Sequence, residues 1–138
     1  MSKKTVLSVD PGTSKCGMAL VQRGEDGTIK LLWHAVVPSD AVIVKLHEAY
    51  IVEEFHLVII GDSTGSKKLK TDLRRHLPSM GILIIDEKET TIQARERYWE
   101  YNPRKGWRKF LPATLQVPPE AYDDYAALVL AERVLSEG

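Results

Sequence analysis

Three short apolar runs, separated by polar turns, predict three β-strands in the first third of this chain. The runs cover Thr5–Val9, Gly17–Gln22 and Thr28–Val37. A Pro-Gly turn separates the first two, and the segment Arg23–Gly27, which contains two glycines, separates the second from the third. Because both connections are short, we expect the three strands to pair as an antiparallel meander.

The rest of the chain alternates helical and strand patterns. Leu57–Ile60 and Gly81–Ile85 are wholly apolar and are typical of central strands covered on both faces. The first helix is predicted to be capped by Ser39 or Asp40. The predicted helices end near Phe55, near Leu77, near Tyr101 after a start at Thr90 or Thr91, and near Leu135 after a start at about Glu120.

The predicted order of elements is three strands followed by helix, strand, helix, strand and two helices. We therefore predict a single α/β domain over residues 1–138, with a mixed five-stranded sheet of three antiparallel and then two parallel strands, flanked by helices. This order is that of the ribonuclease H-like fold. Strand ends on one edge of such a sheet can bring distant side chains together.

Composition narrows the function classes only slightly. The 138 residues suit one domain. The 19 acidic and 19 basic residues balance, so no overall field draws the chain to nucleic acid or to a membrane. The single cysteine, Cys16, fits a reducing compartment. Since neither a signal peptide nor a membrane span is recognisable, we expect a cytoplasmic protein.

Acidic residues recur where predicted strands end. Asp10 ends the first strand, Asp62 follows the fourth, and Asp86 and Glu87 follow the fifth. Asp123 and Asp124 stand near the start of the last helix. Clustered carboxylates suit Mg²⁺ or Mn²⁺, and a pair of such ions can activate water and stabilise a leaving oxygen. Taken singly, each of these acids is more typical of a turn or a helix start, and only their joint placement indicates a site.

Basic residues form two clusters beside the predicted edge. Cations with interleaved aromatic rings suit a nucleic-acid strand, because cations bind phosphates and rings stack on bases. A solvated helix face and a loop anchored by its aromatic residues are the alternative explanations. The predicted nucleic-acid-binding residues are Lys67, Lys68, Arg95, Arg104, Lys105, Trp107, Arg108 and Lys109.

These motifs resemble those of the YqgF and RuvC nucleases. Asp10-Pro11-Gly12, followed by Gly17, resembles the first motif of both families. The segment from Asp86 to Arg95, an acidic pair followed by a threonine pair and Ala-Arg, resembles the YqgF motif, and Asp123 with Ala126-Ala127 is similar to the last acidic motif of both. The resemblance covers nearly the whole chain in the same order.

The resemblance implies a metal-dependent endonuclease that hydrolyses phosphodiester bonds in structured nucleic acid. Asp10 and Asp123 would be catalytic metal ligands, with Glu87 as the YqgF acid and Asp62 as the RuvC acid. The cofactor would be Mg²⁺ or Mn²⁺. The substrate would be either pre-16S rRNA or branched DNA such as a Holliday junction. A homodimer would suit a two-fold symmetric junction, although nothing in the sequence requires one.

Two other functions are compatible with the same motifs. One is a non-catalytic nucleic-acid-binding module that has kept a ribonuclease H-like fold and lost the chemistry. The other is an ATPase of the actin and sugar-kinase type, whose first loop also reads Asp-x-Gly-Thr. Those ATPases close two domains on a nucleotide, whereas this chain has room for one.

Overall fold

A computed structural model describes residues 2–12, 14–87, 90–102 and 123–137, without the side chains of residues 90, 91 and 137. These ranges contain five strands, one short 3-10 turn and four helices. In chain order they are β1 (Lys4–Asp10), β2 (Lys15–Arg23), β3 (Ile29–Pro38), the 3-10 turn (Ser39–Ala41), α1 (Val42–Val52), β4 (Leu57–Gly61), α2 (Ser66–His76), β5 (Gly81–Ile85), α3 (Thr90–Tyr101) and α4 (Asp123–Glu137).

The five strands form one mixed sheet in the order β3-β2-β1-β4-β5. β1 pairs antiparallel with β2, and β2 with β3, so the predicted meander is confirmed. β4 then pairs parallel with β1, and β5 parallel with β4. The predicted α/β class, the mixed five-stranded sheet and the flanking helices are all present. Since β1, β4 and β5 run in parallel, their carboxyl ends share one edge of the sheet.

Helices cover both faces of the sheet, and the alternation of side chains along β1 divides the core in two. Leu7 and Val9 point to the face that α1 and α2 cover. Val6 points to the opposite face, which α3 and α4 cover. The alanines of α4, including Ala126 and Ala127, are buried against this second face. Because these side chains are small, the α4 backbone can lie near the strands.

Two details of the predicted elements are wrong. Neither Ser39 nor Asp40 caps a helix: they form the 3-10 turn, and α1 begins after Ala41 without a side-chain cap. The Ser39 hydroxyl donates to the carbonyl oxygen of Gly12 instead, over 3.2 Å. The Gly81–Ile85 run is an edge strand rather than a central one. An apolar run reports the potential for burial and cannot reveal which strand ends the sheet.

None of the helices in the described part of the chain is long and apolar enough to cross a membrane. The segment between the third and the last predicted helices, together with the first residues of that last helix, falls in 103–122, which is outside the described residues.

Candidate carboxylate site

Asp10 is the last residue of β1 and lies at the shared carboxyl edge. It pairs with Gly17 of β2 on one side. On the other side, the Val9–Ile60 pair of the parallel ladder is followed by Asp10 on β1 and Gly61 on β4. The residues next to this carboxylate are therefore both glycines. Each glycine leaves room for an acidic residue of another element.

Glu87 occupies the space above Gly61. A Cβ atom added at Gly61 would collide with the Glu87 carboxyl group. β5 ends at Ile85, so Glu87 lies two residues beyond the strand and returns across the end of β4. The Asp62 amide donates to the carbonyl oxygen of Ile85 over 2.7 Å, which holds the ends of β4 and β5 together. This arrangement brings the Glu87 side chain to Asp10.

Asp123 reaches the site because α4 begins directly on Gly17. A Cβ atom at Gly17 would collide with the backbone of Asp123 and Asp124. Any other residue at this position of β2 would displace the first turn of the helix. The pair of glycines, Gly17 and Gly61, is thus the sequence feature that allows two acids to approach Asp10 from opposite sides.

The pKa of Asp10 reflects its burial and its two acidic neighbours. The pKa of Asp10 is raised from 3.8 to about 8. Burial is the largest cause, followed by a hydrogen bond to the Glu87 carboxyl group and by the charges of Glu87 and Asp123. Burial and the two neighbouring acids therefore both disfavour the charged form of Asp10.

Two serines hold the turn that follows Asp10. The Ser63 hydroxyl donates to the carbonyl oxygen of Pro11 over 2.9 Å, and the Ser39 hydroxyl donates to that of Gly12. Gly65, with a φ of 100°, immediately precedes α2, and a Cβ atom there would lie 3.6 Å from the Gly12 carbonyl oxygen. The amino terminus of α2 therefore lies beside the turn.

The other predicted acids are placed differently. The side chain of Asp62 is exposed, and it is not among the groups that raise the pKa of Asp10. Asp86 is exposed, and its carbonyl oxygen accepts a hydrogen bond from Arg133 of α4 over 3.0 Å. Asp124 is buried and is bonded to His34. The structure therefore brings Asp10, Glu87 and Asp123 together, whereas the side chain of Asp62 is exposed to solvent.

The predicted basic residues fall into two groups. Lys67 and Lys68 are exposed in the first turn of α2, and Arg95 is half-buried on α3. The remaining residues of this prediction lie outside the described part of the chain: Arg104, Lys105, Trp107, Arg108 and Lys109.

The donor set fits a hard divalent cation in its chemistry, since all three side chains offer carboxylate oxygens. As they stand, no three His, Cys, Asp or Glu side chains within the described ranges are arranged to enclose a metal ion. Because its pKa is raised, Asp10 would have to lose its proton before it could bind a cation.

Comparisons with known proteins return solved structures only. No family model matches the chain, and no curated protein matches it. One similar structure is the Ppx/GppA family member of Aquifex aeolicus, 13% identical with a TM-score of 0.42 over 75% of this chain and 42% of that one. A second, the PPX-GPPA enzyme of the same organism, is 13% identical with a TM-score of 0.42, over 75% and 43% of the two chains.

A third structure is the type II variant of the Aquifex aeolicus Ppx/GppA phosphatase. It is 14% identical with a TM-score of 0.41, over 73% of this chain and 42% of that one. The chain thus spans less than half the length of each of these proteins. Similarity of this degree concerns the arrangement of strands and helices and does not transfer a substrate.

The comparisons contradict the predicted YqgF/RuvC-like membership, because the similar structures are Ppx/GppA proteins. The predicted nuclease function, with structured RNA or branched DNA as partner, is wrong on the same finding, and the non-catalytic nucleic-acid-binding alternative is not favoured. The reason for expecting a homodimer disappears with the junction. The physical reason is that an acid at a strand end followed by a Pro-Gly turn is compatible with many α/β sheets. The motif Asp10-Pro11-Gly12 is therefore not specific to one family.

Proposed function

We propose that this chain is a divalent-metal-dependent hydrolase. It would cleave a phosphate monoester or phosphoanhydride bond at the carboxyl end of β1, where Asp10 lies. The observation that carries the proposal is the convergence of Asp10, Glu87 and Asp123 from three separate elements onto one strand end. Mg²⁺ and Mn²⁺ are the cations that such a donor set suits.

The energetic cost of this convergence supports a cation site. Burial and neighbouring negative charge raise the pKa of Asp10 to about 8, so the fold holds this acid in an environment that disfavours its charged form. Perturbed acids of this kind cluster at functional sites. When bound, a divalent cation would neutralise the carboxylates, activate a water molecule and polarise the phosphoryl group.

The surroundings of Asp10 support a phosphate-containing substrate. The amino terminus of α2 lies beside the turn that follows Asp10, and a helix amino terminus favours anions because its first N–H groups lack partners within the helix. Lys67 and Lys68 are exposed in the same helical turn and add positive charge. We infer that these groups attract and orient the phosphate while the carboxylates face the bond to be cleaved.

Hydrolysis assays test this function directly. Phosphate release is measured from p-nitrophenyl phosphate, ATP and inorganic polyphosphate, with Mg²⁺, with Mn²⁺ and with EDTA. We expect metal-dependent release from at least one of these substrates. Asp10→Asn should lower the rate roughly 100-fold or more, because it removes a ligand charge. Asp26→Asn is the matched control, because Asp26 is an acid in the turn between β2 and β3.

Three results would overturn the proposal or its site. One is the absence of phosphate release from all three substrates with either metal. A second is cleavage of a structured RNA or a branched DNA, included as comparison substrates, without release from the small phosphates. The third is a rate that Asp10→Asn leaves unchanged, which would place the activity elsewhere.

The finer sequence predictions can be tested with the same protein. The ribonuclease H-like assignment and the cytoplasmic location stay predictions. The role of Asp62 as a fourth ligand is also a prediction, and Asp62→Asn tests it in the same assays. If Asp62 is a ligand, this variant should resemble Asp10→Asn in its metal requirement, whereas a turn residue should resemble Asp26→Asn.

A further inference from the structure

His34 of β3 forms a hydrogen bond with Asp124 in the first turn of α4. Its Nδ1 atom lies 2.6 Å from Asp124 Oδ2, although the two residues are 90 positions apart in the sequence. The Asp124 side chain is only 9% exposed, and its other oxygen, Oδ1, accepts the Tyr125 amide over 3.1 Å. The ring of Tyr125 also contacts the His34 ring, with centroids 5.4 Å apart.

The contact between His34 and Asp124 is connected to the carboxylate site through Gly17 of β2. His34 pairs with Ala19 of β2, and Ala19 lies two residues from Gly17 on the same face of the sheet. The backbone of Asp123 and Asp124 rests on Gly17. Two neighbouring acids at the start of α4 are therefore used in opposite ways, since Asp124 binds the sheet and Asp123 contributes charge at Asp10.

We propose that His34 is a positioning residue that, through Asp124, fixes the first turn of α4 and so holds Asp123 beside Asp10. The expected effect on cation binding rests on the proposed function, whereas the positioning of α4 by His34 does not. His34 itself does not touch the reacting groups in this scheme. Removal of a group that orients a metal ligand without touching the metal typically changes metal affinity by a factor of 10 to 100.

A pair of variants separates the hydrogen bond from the bulk of the ring. Asn places its amide nitrogen where the His Nδ1 atom lies, so His34→Asn keeps a donor for Asp124. His34→Leu keeps comparable volume and removes the donor. The matched control is Glu132→Gln, which weakens another ion pair of α4, the one between Glu132 and Arg97 over 2.9 Å. That pair links α4 to α3 and not to the sheet.

The first measurement is binding of Mn²⁺ alone, followed by the loss of the free-ion signal in electron paramagnetic resonance. We expect His34→Leu to weaken binding roughly 10-fold or more, with His34→Asn near the parent protein and Glu132→Gln unchanged. The second measurement is the backbone amide resonances of Gly17 and Asp123 without metal. These should shift in His34→Leu and stay in place in Glu132→Gln.

The outcomes distinguish this inference from the proposed function. Parent-like Mn²⁺ binding together with unmoved Gly17 and Asp123 amides in His34→Leu would overturn the positioning role. If the parent protein binds no Mn²⁺, the proposed metal site fails, and the amide resonances still decide whether His34 fixes the helix start. If His34→Leu does not fold, Asp124→Asn removes the same charged contact, and its amides and Mn²⁺ affinity decide the question.

Discussion

At the scale of single residues, two polar groups of β1 are unfavourable for the stability of the fold. Asp10 is half-buried next to two other acids, and its burial, followed by the effect of these acids, raises its pKa to about 8. Ser8 lies two residues earlier on the same strand, is fully buried, and its hydroxyl makes no hydrogen bond with the described part of the chain. Neither arrangement is explained by packing alone. Sites of this kind trade stability for function.

We predict that Asp10→Asn stabilises the metal-free protein. The raised pKa means that folding favours the protonated acid, so this group lowers stability progressively as the pH rises from 3.8 to about 8. Replacing it with a neutral amide should raise the free energy of unfolding at pH 7 by roughly 2 to 4 kcal/mol, since each pKa unit corresponds to about 1.4 kcal/mol and partial exposure reduces the effect. Urea unfolding in EDTA measures this change. A loss of stability would show that the carboxylates do not repel one another as described.

Ser8→Ala is expected to raise the free energy of unfolding by about 1 kcal/mol, because it removes a buried hydroxyl that lacks a partner. Ser63→Ala is the matched control, since the Ser63 hydroxyl donates to the Pro11 carbonyl over 2.9 Å and its removal should cost about 1 kcal/mol. Thermal unfolding distinguishes the two signs. A destabilised Ser8→Ala would indicate that the hydroxyl has a role in the native state.

At the scale of elements, α4 is fixed to the sheet at both ends. Asp124 binds His34 at its first turn. At its last turn, the buried Arg23 of β2 donates to the Leu135 carbonyl oxygen over 2.8 Å. The carbonyl groups of a last turn lack partners within the helix, and a cation there is favoured by the helix dipole. The helix that carries Asp123 is therefore placed by contacts with β2 and β3, which are distant from it in the sequence.

Arg23→Met tests the second of these contacts. The change removes the donor and the charge, leaves the Leu135 carbonyl buried, and should lower the free energy of unfolding by about 2 kcal/mol. Arg74→Met is the control, because Arg74 donates to the Met80 carbonyl over 2.8 Å at an exposed site, where the loss should stay under about 0.5 kcal/mol. Equal losses in the two variants would contradict the role assigned to burial.

At the scale of the whole molecule, one sheet separates two cores and presents the carboxylates at a single edge. One core lies under α1 and α2, and the other under α3 and α4. The acids come from both the strand ends and the helix on one face. Because the acids are carried by β1, by the residues after β5 and by α4, their meeting depends on the packing of α4 on the sheet.

We expect His34 to make a small contribution to stability that is lost as the pH rises. The hydrogen bond to Asp124 raises the pKa of His34 above 6.5, so its contribution is fully present below pH 6.5 and is lost as the pH rises through the folded-state pKa. Since the His34 side chain is 42% exposed, the effect should stay below about 1 kcal/mol. Asp10 changes stability in the same direction, so the measurement is the difference between the parent protein and His34→Asn across this range. An identical pH dependence in the two proteins would exclude the contribution.

The sequence by itself determined the order of the elements and the strand ends that carry acids, because alternation, apolar runs and turn residues are local properties. Its motifs also offered Asp62, Glu87 and Asp123 as partners of Asp10. The tertiary structure decided among these acids, since Gly17 and Gly61 leave space for Asp123 and Glu87, whereas the side chain of Asp62 is exposed. It also placed β5 at the edge of the sheet and turned Asp124 towards His34. One local signal for His34 existed, a polar residue within the otherwise apolar stretch Leu31–Val37. Its partner was not predictable, because a contact across 90 residues depends on how α4 packs on the sheet.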